Sequence, residues 1–389
     1  MNSILKQLTV WRVILLAILL SGAYATYLRI FYGLGGSTNL SDKFPWGLWI
    51  GFDVMCGVAL AAGGFTLVSI VHIFNIKTYK PVLRPAILTA FLGYILVVVG
   101  LLYDLGRPDR LWHPLIMWNP HSVMFEVAWC VTLYSTVLGL EFLPVVLEKF
   151  GLHKPLAWIH RISVPLMILG VLLSTLHQSS LGTLFLIVPE KEYPLWYTPI
   201  LPLLFYISAI AAGLAMTIFE SWHSSRAFGR ALELPLLMSI GRVLAVVMSV
   251  YLWIRVLDLA HRHVFGLLTL NRPETWLFLL EAALMIVPTA MLFHSGVRAR
   301  PGALYACAVM VVLSMVTNRL NVGISGIEAG SGTHYIPKWS ELAITLSIVG
   351  AGFAIFRVAG HYLPIFEEPT HEHGLAEVEE TEEDPIAVG

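Results

Sequence analysis

Long apolar runs, separated by short polar segments, fill the chain from near its start to about residue 363. A helix of about 20 apolar residues crosses the hydrocarbon core of a bilayer. The runs predict ten such helices, over residues 11–31, 47–73, 84–104, 122–147, 157–178, 199–222, 233–258, 276–296, 302–319 and 341–363. We therefore predict an all-α integral membrane fold, with residues 1–365 as one polytopic membrane domain.

Composition strengthens this prediction. Of the 389 residues, 57% are hydrophobic and 13% are charged, whereas about 25% of the residues in a soluble domain are charged. A lipid bilayer is the solvent that suits such a chain. Residues 366–389 differ, because they are acidic and poor in apolar residues, and there we predict a disordered cytoplasmic tail.

The number of helices and the positions of the charges predict an orientation. Ten helices place both termini on one side of the membrane, and more than half of the 24 Lys and Arg residues then fall on that side. Basic residues concentrate on the cytoplasmic side of membrane proteins. We therefore expect cytoplasmic termini in the inner, cytoplasmic membrane.

The cysteines restrict the redox centres that the chain could hold. Cys56, Cys130 and Cys307 lie singly in predicted helices, without the CxxC spacing of cluster ligands. No glycine-rich nucleotide motif follows a strand pattern either. We expect no iron–sulfur cluster and no metal site in this chain, and no nucleic-acid partner.

Two pairs of acidic residues suggest an internal repeat. Asp258 follows Asp104, and Glu281 follows Glu126, at almost the same offset. An offset of four helices keeps both copies in the same orientation across the membrane. Chance resemblance between apolar helices is the alternative explanation.

The repeat predicts how the helices are grouped. We expect two four-helix bundles, residues 47–178 and 199–319, related by a pseudo-two-fold axis along the membrane normal. Helices 11–31 and 341–363 would then be peripheral. The duplicated acids lie at the outer ends of their helices, where charged groups persist only if they are paired or functional.

These ionisable residues suit quinone chemistry. A quinone ring has two carbonyl oxygens, and its two-electron reduction consumes two protons, so its site needs donors for the oxygens and groups that relay protons. Histidine titrates near neutrality, and a desolvated Asp or Glu can also pass protons. We predict catalytic roles for Asp53, Glu126 and His177, and a proton path through Asp53, Glu126 and Glu281.

Structural roles compete with functional ones at several positions. Arg255 and Asp258 lie at i and i+3 on one helix face, where they form either a structural ion pair or part of a site. Asp104 and Arg107 suit a pair that braces the following loop. His121 suits a helix cap as well as a ligand contact.

Short motifs are spread over nearly all of residues 28–363. They are Phe44-Pro45-Trp46-Gly47-Leu48-Trp49-Ile50 with Asp53, Asp104 with Gly106-Arg107, Phe125-Glu126, His177-Gln178-Ser179-Ser180, Arg255 with Asp258, Arg319, and Pro337-Lys338-Trp339 with Glu341. In combination they resemble the NrfD/PsrC family of membrane subunits, and most closely its HybB-type members from nickel–iron hydrogenase complexes.

The resemblance implies a haem-free subunit that binds menaquinone or ubiquinone near the outer face and passes electrons between it and a partner cluster. The implied partners are a periplasmic-side ferredoxin-like iron–sulfur subunit and the catalytic subunit of a hydrogenase, molybdoenzyme or sulfur-metabolism complex. Proton translocation stays open. The implied site residues are Asp53, Asp104, Arg107, Glu126, His177, Arg255, Asp258 and Arg319, to which we add His121 as a quinone contact.

Two other classes of protein stay open. A di-haem cytochrome b would use histidines of the cytoplasmic half, with two left for the other half; they are His72, His160 and His294, then His177 and His121. A secondary transporter would also combine a repeated bundle with buried charge. The predicted charges gather at one face and not at the midplane, which favours the electron-transfer subunit.

Overall fold

The computed structural model describes residues 10–44, 46–73 and 76–366. In this part of the chain, ten helices are long and apolar enough to cross a membrane, which confirms the predicted all-α membrane fold. The predicted tail lies outside the described residues, apart from Phe366. The helices are α1 Val10–Ser37, α2 Trp49–Val71, α3 Lys80–Asp104, α4 Val123–Lys149, α5 His153–Leu186, α6 Leu201–Phe228, α7 Leu234–His261, α8 Pro273–Phe293, α9 Pro301–Ser331 and α10 Trp339–Tyr362.

Local chemistry sets many of the helix ends. Proline stands in the first turn of α3, α6, α7, α8 and α9, where its missing N–H would have no partner within the helix. Ser122 caps α4, because its side chain accepts a hydrogen bond from the Phe125 amide. Gly229 ends α6 in the left-handed conformation, at φ 65°.

Two helices are longer than predicted. Helix α5 continues to Leu186, because the hydroxyls of Ser179 and Thr183 donate to carbonyls one turn earlier and so fit an apolar helix. Helix α9 continues to Ser331 through a π-helical stretch, Asn321–Ser325. His177 and Arg319 therefore lie inside their helices and not at the ends.

The helices pack in two groups. In one group α2, α3, α4 and α5 are neighbours, and in the other α6, α7, α8 and α9 are neighbours. Helix α6 contacts both α2 and α5, while α10 packs against α1 and α3. This grouping agrees with the two predicted bundles, whereas the pseudo-two-fold axis stays a prediction.

Two π-helical stretches meet between the groups. One is Trp49–Val54 at the start of α2, and the other is Asn321–Ser325 in α9. A Cβ atom at Gly323 would lie 3.2 Å from the Gly51 Cα and even closer to the Met55 methyl group. The two backbones therefore touch at Gly51 and Gly323, at a contact that we call the π seam.

The alternation of helix direction places all candidate residues in relation to one membrane face. Helices α3, α5, α7 and α9 end at the face where Asp104 lies, and α2, α4, α6, α8 and α10 begin there. We call it the Asp104 face.

Candidate functional site

Asp104 ends α3 beside a buried arginine of α1. Arg29, which is 8% exposed, donates from Nε to the Tyr103 carbonyl at 2.7 Å and from a terminal nitrogen to the Leu105 carbonyl at 2.6 Å. These bonds satisfy carbonyls that the end of a helix leaves free. Asp104 is the acidic neighbour of this guanidinium, and its Oδ1 is buried without a hydrogen-bond partner in the structure. One carboxylate oxygen is therefore available to a ligand proton.

Glu341, in the first turn of α10, ties the loops of this face together. One oxygen accepts the Asn39 amide at 2.9 Å and the Lys338 amide at 3.1 Å, and the other accepts the Tyr335 hydroxyl. Burial, reinforced by this bond to Glu341, raises the pKa of the Tyr335 phenol above its usual range. Tyr335 therefore stays a neutral donor.

Asp53 lies in the π-helical start of α2 and is 5% exposed. The Thr345 hydroxyl of α10 donates to its Oδ2 at 2.8 Å. Gly100, one turn before the end of α3, leaves the room for this side chain, because a Cβ there would lie 2.9 Å from the Asp53 Cβ. Asp53 and Asp104 are thus held near each other at the same face.

A cavity of about 450 Å³ begins at Asp53 and runs between α2, α3, α6 and α10. Ligand sites for small molecules have about 300–1,000 Å³, so a quinone ring fits. The polar lining residues are few: Asp53, Thr89, Glu220, His223, Ser224 and Arg357. Glu220 accepts the Thr89 hydroxyl at 2.6 Å.

A second polar cluster lies inside the first group of helices. The His177 ring is fully buried, 5.5 Å from the Tyr94 ring and edge-on to it, and Tyr94 in turn packs edge-on against Tyr134 at 4.6 Å. Both His177 nitrogens and both tyrosine hydroxyls lack a hydrogen-bond partner in the structure. Buried polar atoms without partners cost about 1–3 kcal/mol each, so a cluster of four calls for a functional explanation.

Glu281 occupies a very different setting in the second group of helices. Its carboxylate accepts hydrogen bonds from Asn318 at 2.8 Å, Asn321 at 2.8 Å and the Trp196 indole at 3.0 Å. Arg319 is 1% exposed, donates to Asn318 and Ser208, and lies 3.5 Å above the Phe205 ring. Glu281 and Arg319 thus belong to one satisfied network.

Arg255 and Asp258 are close but have nearer partners. Their charged atoms are 3.9 Å apart. Asp258 binds Arg262 at 2.7 Å and the Thr198 hydroxyl at 2.6 Å, while Arg255 donates to the Leu195 carbonyl at 2.6 Å. Both residues fasten the segment between α5 and α6 to the end of α7.

That segment contains a buried carboxyl group. Glu192 is 4% exposed and packs against Gly326, and both of its oxygens lack a hydrogen-bond partner. Burial raises the pKa of the Glu192 carboxyl well above its usual range. Glu192 is therefore protonated near neutral pH.

Three predicted site residues lie apart from these clusters. Glu126 is exposed in the first turn of α4. The predicted cap role of His121 is wrong, because Ser122 caps α4 and His121 is exposed. The predicted brace between Asp104 and Arg107 is also wrong. Leu105 is extended and leads the chain away from the helix, so Arg107 pairs with exposed Asp109 at 3.0 Å.

This short-range ion pair on the surface affects both of its members. The hydrogen bond to Asp109 raises the pKa of Arg107, and the same bond lowers the pKa of the Asp109 carboxyl. Arg107 is therefore engaged by its neighbour in the sequence and not by the Asp104 cluster.

Several residues of these clusters were not predicted as site residues. Arg29 was overlooked because α1 was placed at the periphery, and Glu341 was cited only as part of a motif. Glu141 and Glu220 stand inside apolar runs, which is the usual mark of a functional position in a membrane helix. Tyr94 and Tyr134 lack such a signal, since tyrosine is common in membrane helices.

The histidines of the cytochrome interpretation are dispersed. His160 is exposed on α5 and His294 is exposed after α8, while the side chain of His72 lies outside the described residues. No group of three or more His, Cys, Asp or Glu side chains is arranged for a metal ion in the described part of the chain.

Comparison with known proteins agrees with this architecture. The family described as "Polysulphide reductase, NrfD" matches residues 36–328. The chain is 32% identical to a "Probable Ni/Fe-hydrogenase 2 b-type cytochrome subunit" of Escherichia coli, over 87% of each chain. It is 29% identical to the "Menaquinone reductase, integral membrane subunit" of Nitratidesulfovibrio vulgaris, over 94% of this chain and 93% of the relative.

Another protein of Nitratidesulfovibrio vulgaris, named only "Protein", is 39% identical over 91% of this chain and 94% of its own. The family match covers the second to the ninth helix, and the relatives extend the likeness over nearly the whole chain. With its ten apolar helices, the chain is a multi-pass integral membrane protein that belongs to the NrfD family.

Proposed function

We propose that this chain is the quinone-binding membrane subunit of a respiratory oxidoreductase complex. It passes electrons between a partner iron–sulfur subunit and the quinone pool, with exchange of protons. The observation that carries this proposal is the buried carboxyl group of Asp53 at the end of a cavity of about 450 Å³, near a second carboxyl group, Asp104.

The side chains at the Asp104 face suit the ring of a quinone. A quinone accepts two electrons and two protons, so its oxygens need groups that can both hold and supply protons. The free Oδ1 of Asp104 and the carboxyl group of Asp53 are such groups. Arg29 and Thr345 hold the two positions, and the surrounding apolar helices keep bulk water from the ring.

Protons reach this site through side chains of the chain itself. Glu126, exposed at the start of α4, takes protons from the water outside. His177, inside the first group of helices, carries them within the membrane together with its tyrosine neighbours. Glu281, held by three donors, keeps a charge that orders the second group. Translocation across the whole membrane would use the same groups.

The partners are an iron–sulfur protein at the Asp104 face and a catalytic subunit. Relatives of this chain bear the names of membrane subunits of hydrogenase, menaquinone reductase and polysulfide reductase complexes. Electron transfer needs the partner cluster on the side where the quinone ring lies, and the Asp104 face is that side. A cytoplasmic membrane with this face outward is the proposed location.

The test is the Asp53→Asn variant of the purified native complex. We expect its turnover with quinone to fall by about 100-fold or more, as for loss of a group that exchanges protons. The partner subunits should still copurify, and their activity with a soluble dye should be unchanged. Asp109→Asn, at an exposed aspartate of the same face, is the matched control. Unchanged quinone turnover in Asp53→Asn would refute the role of Asp53.

Glu126 and His177 need separate variants, because they lie apart from Asp53. Glu126→Gln and His177→Ala should each abolish quinone-coupled turnover while the complex still assembles. Normal turnover in both would remove them from the proton route and leave the quinone site itself intact.

A cytochrome b is the second candidate function, because the relative from Escherichia coli is named a b-type cytochrome subunit. His177 has both ring nitrogens free of hydrogen bonds, as a haem ligand would need before binding. A visible spectrum of the purified complex separates the candidates. A reducible Soret band that His177→Ala removes would favour the cytochrome.

A further inference from the structure

The cavity that begins at Asp53 extends far beyond a quinone ring. Along α10 its lining runs from Ile348 to Arg357, which corresponds to about 14 Å at the helical rise of 1.5 Å per residue. On α6 it reaches Glu220 and Phe228, towards the membrane face opposite to Asp104. It is therefore a long groove that starts at the proposed ring site.

The groove is apolar and opens towards lipid. Val349 and Phe353 line it and are 37% and 62% exposed, so part of its length lies on the lipid-facing surface. Two of the polar lining side chains are already paired, Glu220 with Thr89 and His223 with the Tyr305 hydroxyl. Apolar cavities stay dry, so this space suits a hydrocarbon chain better than a file of water molecules.

We propose that the groove between α2, α3, α6 and α10 binds the isoprenoid chain of the quinone whose ring lies at Asp53. This inference rests on the proposed function and adds a site for the chain of the substrate. A long isoprenoid chain is apolar and flexible, and it is attached to the ring that Asp53 would protonate. Continuity between groove and ring site favours this occupant over the acyl chain of a phospholipid.

The groove guides the ring and adds little affinity. Lipid tails are as apolar as the groove, so a chain gains almost no hydrophobic free energy by leaving the bilayer. A filled groove would instead leave the chain of a long quinone without a path, and its ring would be held away from Asp53. A quinone ring without a chain would be unaffected.

The experiment fills the groove by Val349→Trp in the native complex. Its matched control is Val358→Trp, on the same helix, because Val358 is 56% exposed and does not line the groove. Turnover is measured with a long-chain quinone and with the same ring lacking the chain. We expect kcat/KM for the long-chain quinone to fall at least about tenfold in Val349→Trp, a difference of about 1.4 kcal/mol. It should be unchanged for the chainless ring and unchanged for both substrates in Val358→Trp.

Ala227→Trp, at the far end of the groove, is the second variant, since Ala227 is exposed and should tolerate the change. It should impair only quinones with chains long enough to reach it. Equal kinetics for both substrates in both groove variants would overturn the inference. Loss of a copurified phospholipid with unchanged quinone kinetics would overturn it in favour of a lipid site. If the unaltered complex reduced or oxidised no quinone, the proposed function would fail and not the groove alone.

Discussion

Thr345 on α10 donates a 2.8 Å hydrogen bond to Asp53 on α2. Helix α10 was predicted as peripheral, yet this bond makes it part of the candidate site. The same helix begins with Glu341, which anchors the loops of the Asp104 face. The tenth helix thus sets the positions of two carboxylates at one face.

Removal of this bond should affect quinone turnover. In Thr345→Val the Asp53 carboxyl loses a donor in a buried place, at a cost of about 1–3 kcal/mol. We expect kcat/KM with quinone to fall about tenfold, since about 1.4 kcal/mol corresponds to a factor of ten. Thr345→Ser keeps the hydroxyl and should restore turnover. Equal loss in Ser and Val variants would indicate a packing role instead.

The hydroxyl of Tyr134 offers a contrasting case. It is buried without a partner, so Tyr134→Phe removes an unsatisfied group and should leave the melting temperature unchanged or raise it. If the hydroxyl carries protons, quinone-coupled turnover should fall despite the intact fold. Both quantities are measured on the same purified complex. Normal turnover would exclude Tyr134 from the proton route.

Glu281 should matter for stability. A glutamine in its place presents one acceptor oxygen and an NH₂ group to three donors, Asn318, Asn321 and Trp196. Loss of one hydrogen bond to a charged group costs about 1.5–3 kcal/mol. Glu281→Gln should therefore melt at a lower temperature in detergent. Glu274→Gln, in the first turn of the same helix, is the control. An unchanged melting temperature for Glu281→Gln would contradict the structural role.

Glu192 predicts a pH dependence of the segment before α6. Burial raises the pKa of its carboxyl, so the packed segment keeps the proton while an opened segment has an ordinary glutamate pKa. Below the ordinary pKa both forms are protonated and packing is unaffected. As the pH rises above it, opening releases the proton and becomes easier, until the pH reaches the raised pKa.

Hydrogen exchange of residues 189–200 measures this opening, after correction for the intrinsic rate. In the unaltered chain, protection should decrease as the pH rises from 5 to 8, a range that begins near the ordinary glutamate pKa of about 4.3. Glu192→Gln should remove this dependence. Glu190→Gln, at an exposed glutamate two residues earlier, should retain it. A flat profile in the unaltered chain would contradict the prediction.

Hydropathy predicted all ten helices because each span carries an apolar run of its own. It could not predict that α5 and α9 continue, since the polar residues there are satisfied within the helix or by its neighbours. Asp53 and His177 were predicted as site residues, and both are buried. Arg29 was missed because its role depends on a contact with Tyr103 and Leu105, far away in the sequence.

Spacing along the chain also misled where the backbone turns. Arg107 follows Asp104 closely, yet one extended residue separates their directions. Glu126 and Glu281 look equivalent in the sequence, but one is exposed and the other receives three hydrogen bonds. An apparent repeat therefore predicts positions in a fold better than it predicts chemical roles.

The bare contact at Gly51 and Gly323 limits how this protein can vary. Any side chain at Gly323 would be forced into the Met55 methyl group and the opposite main chain. A wedge at this point would prise apart the stretch that bears Asp53 from the stretch that bears Asn321. Neither half of the molecule can then be swapped for a foreign one unless the newcomer also brings a glycine to the joint.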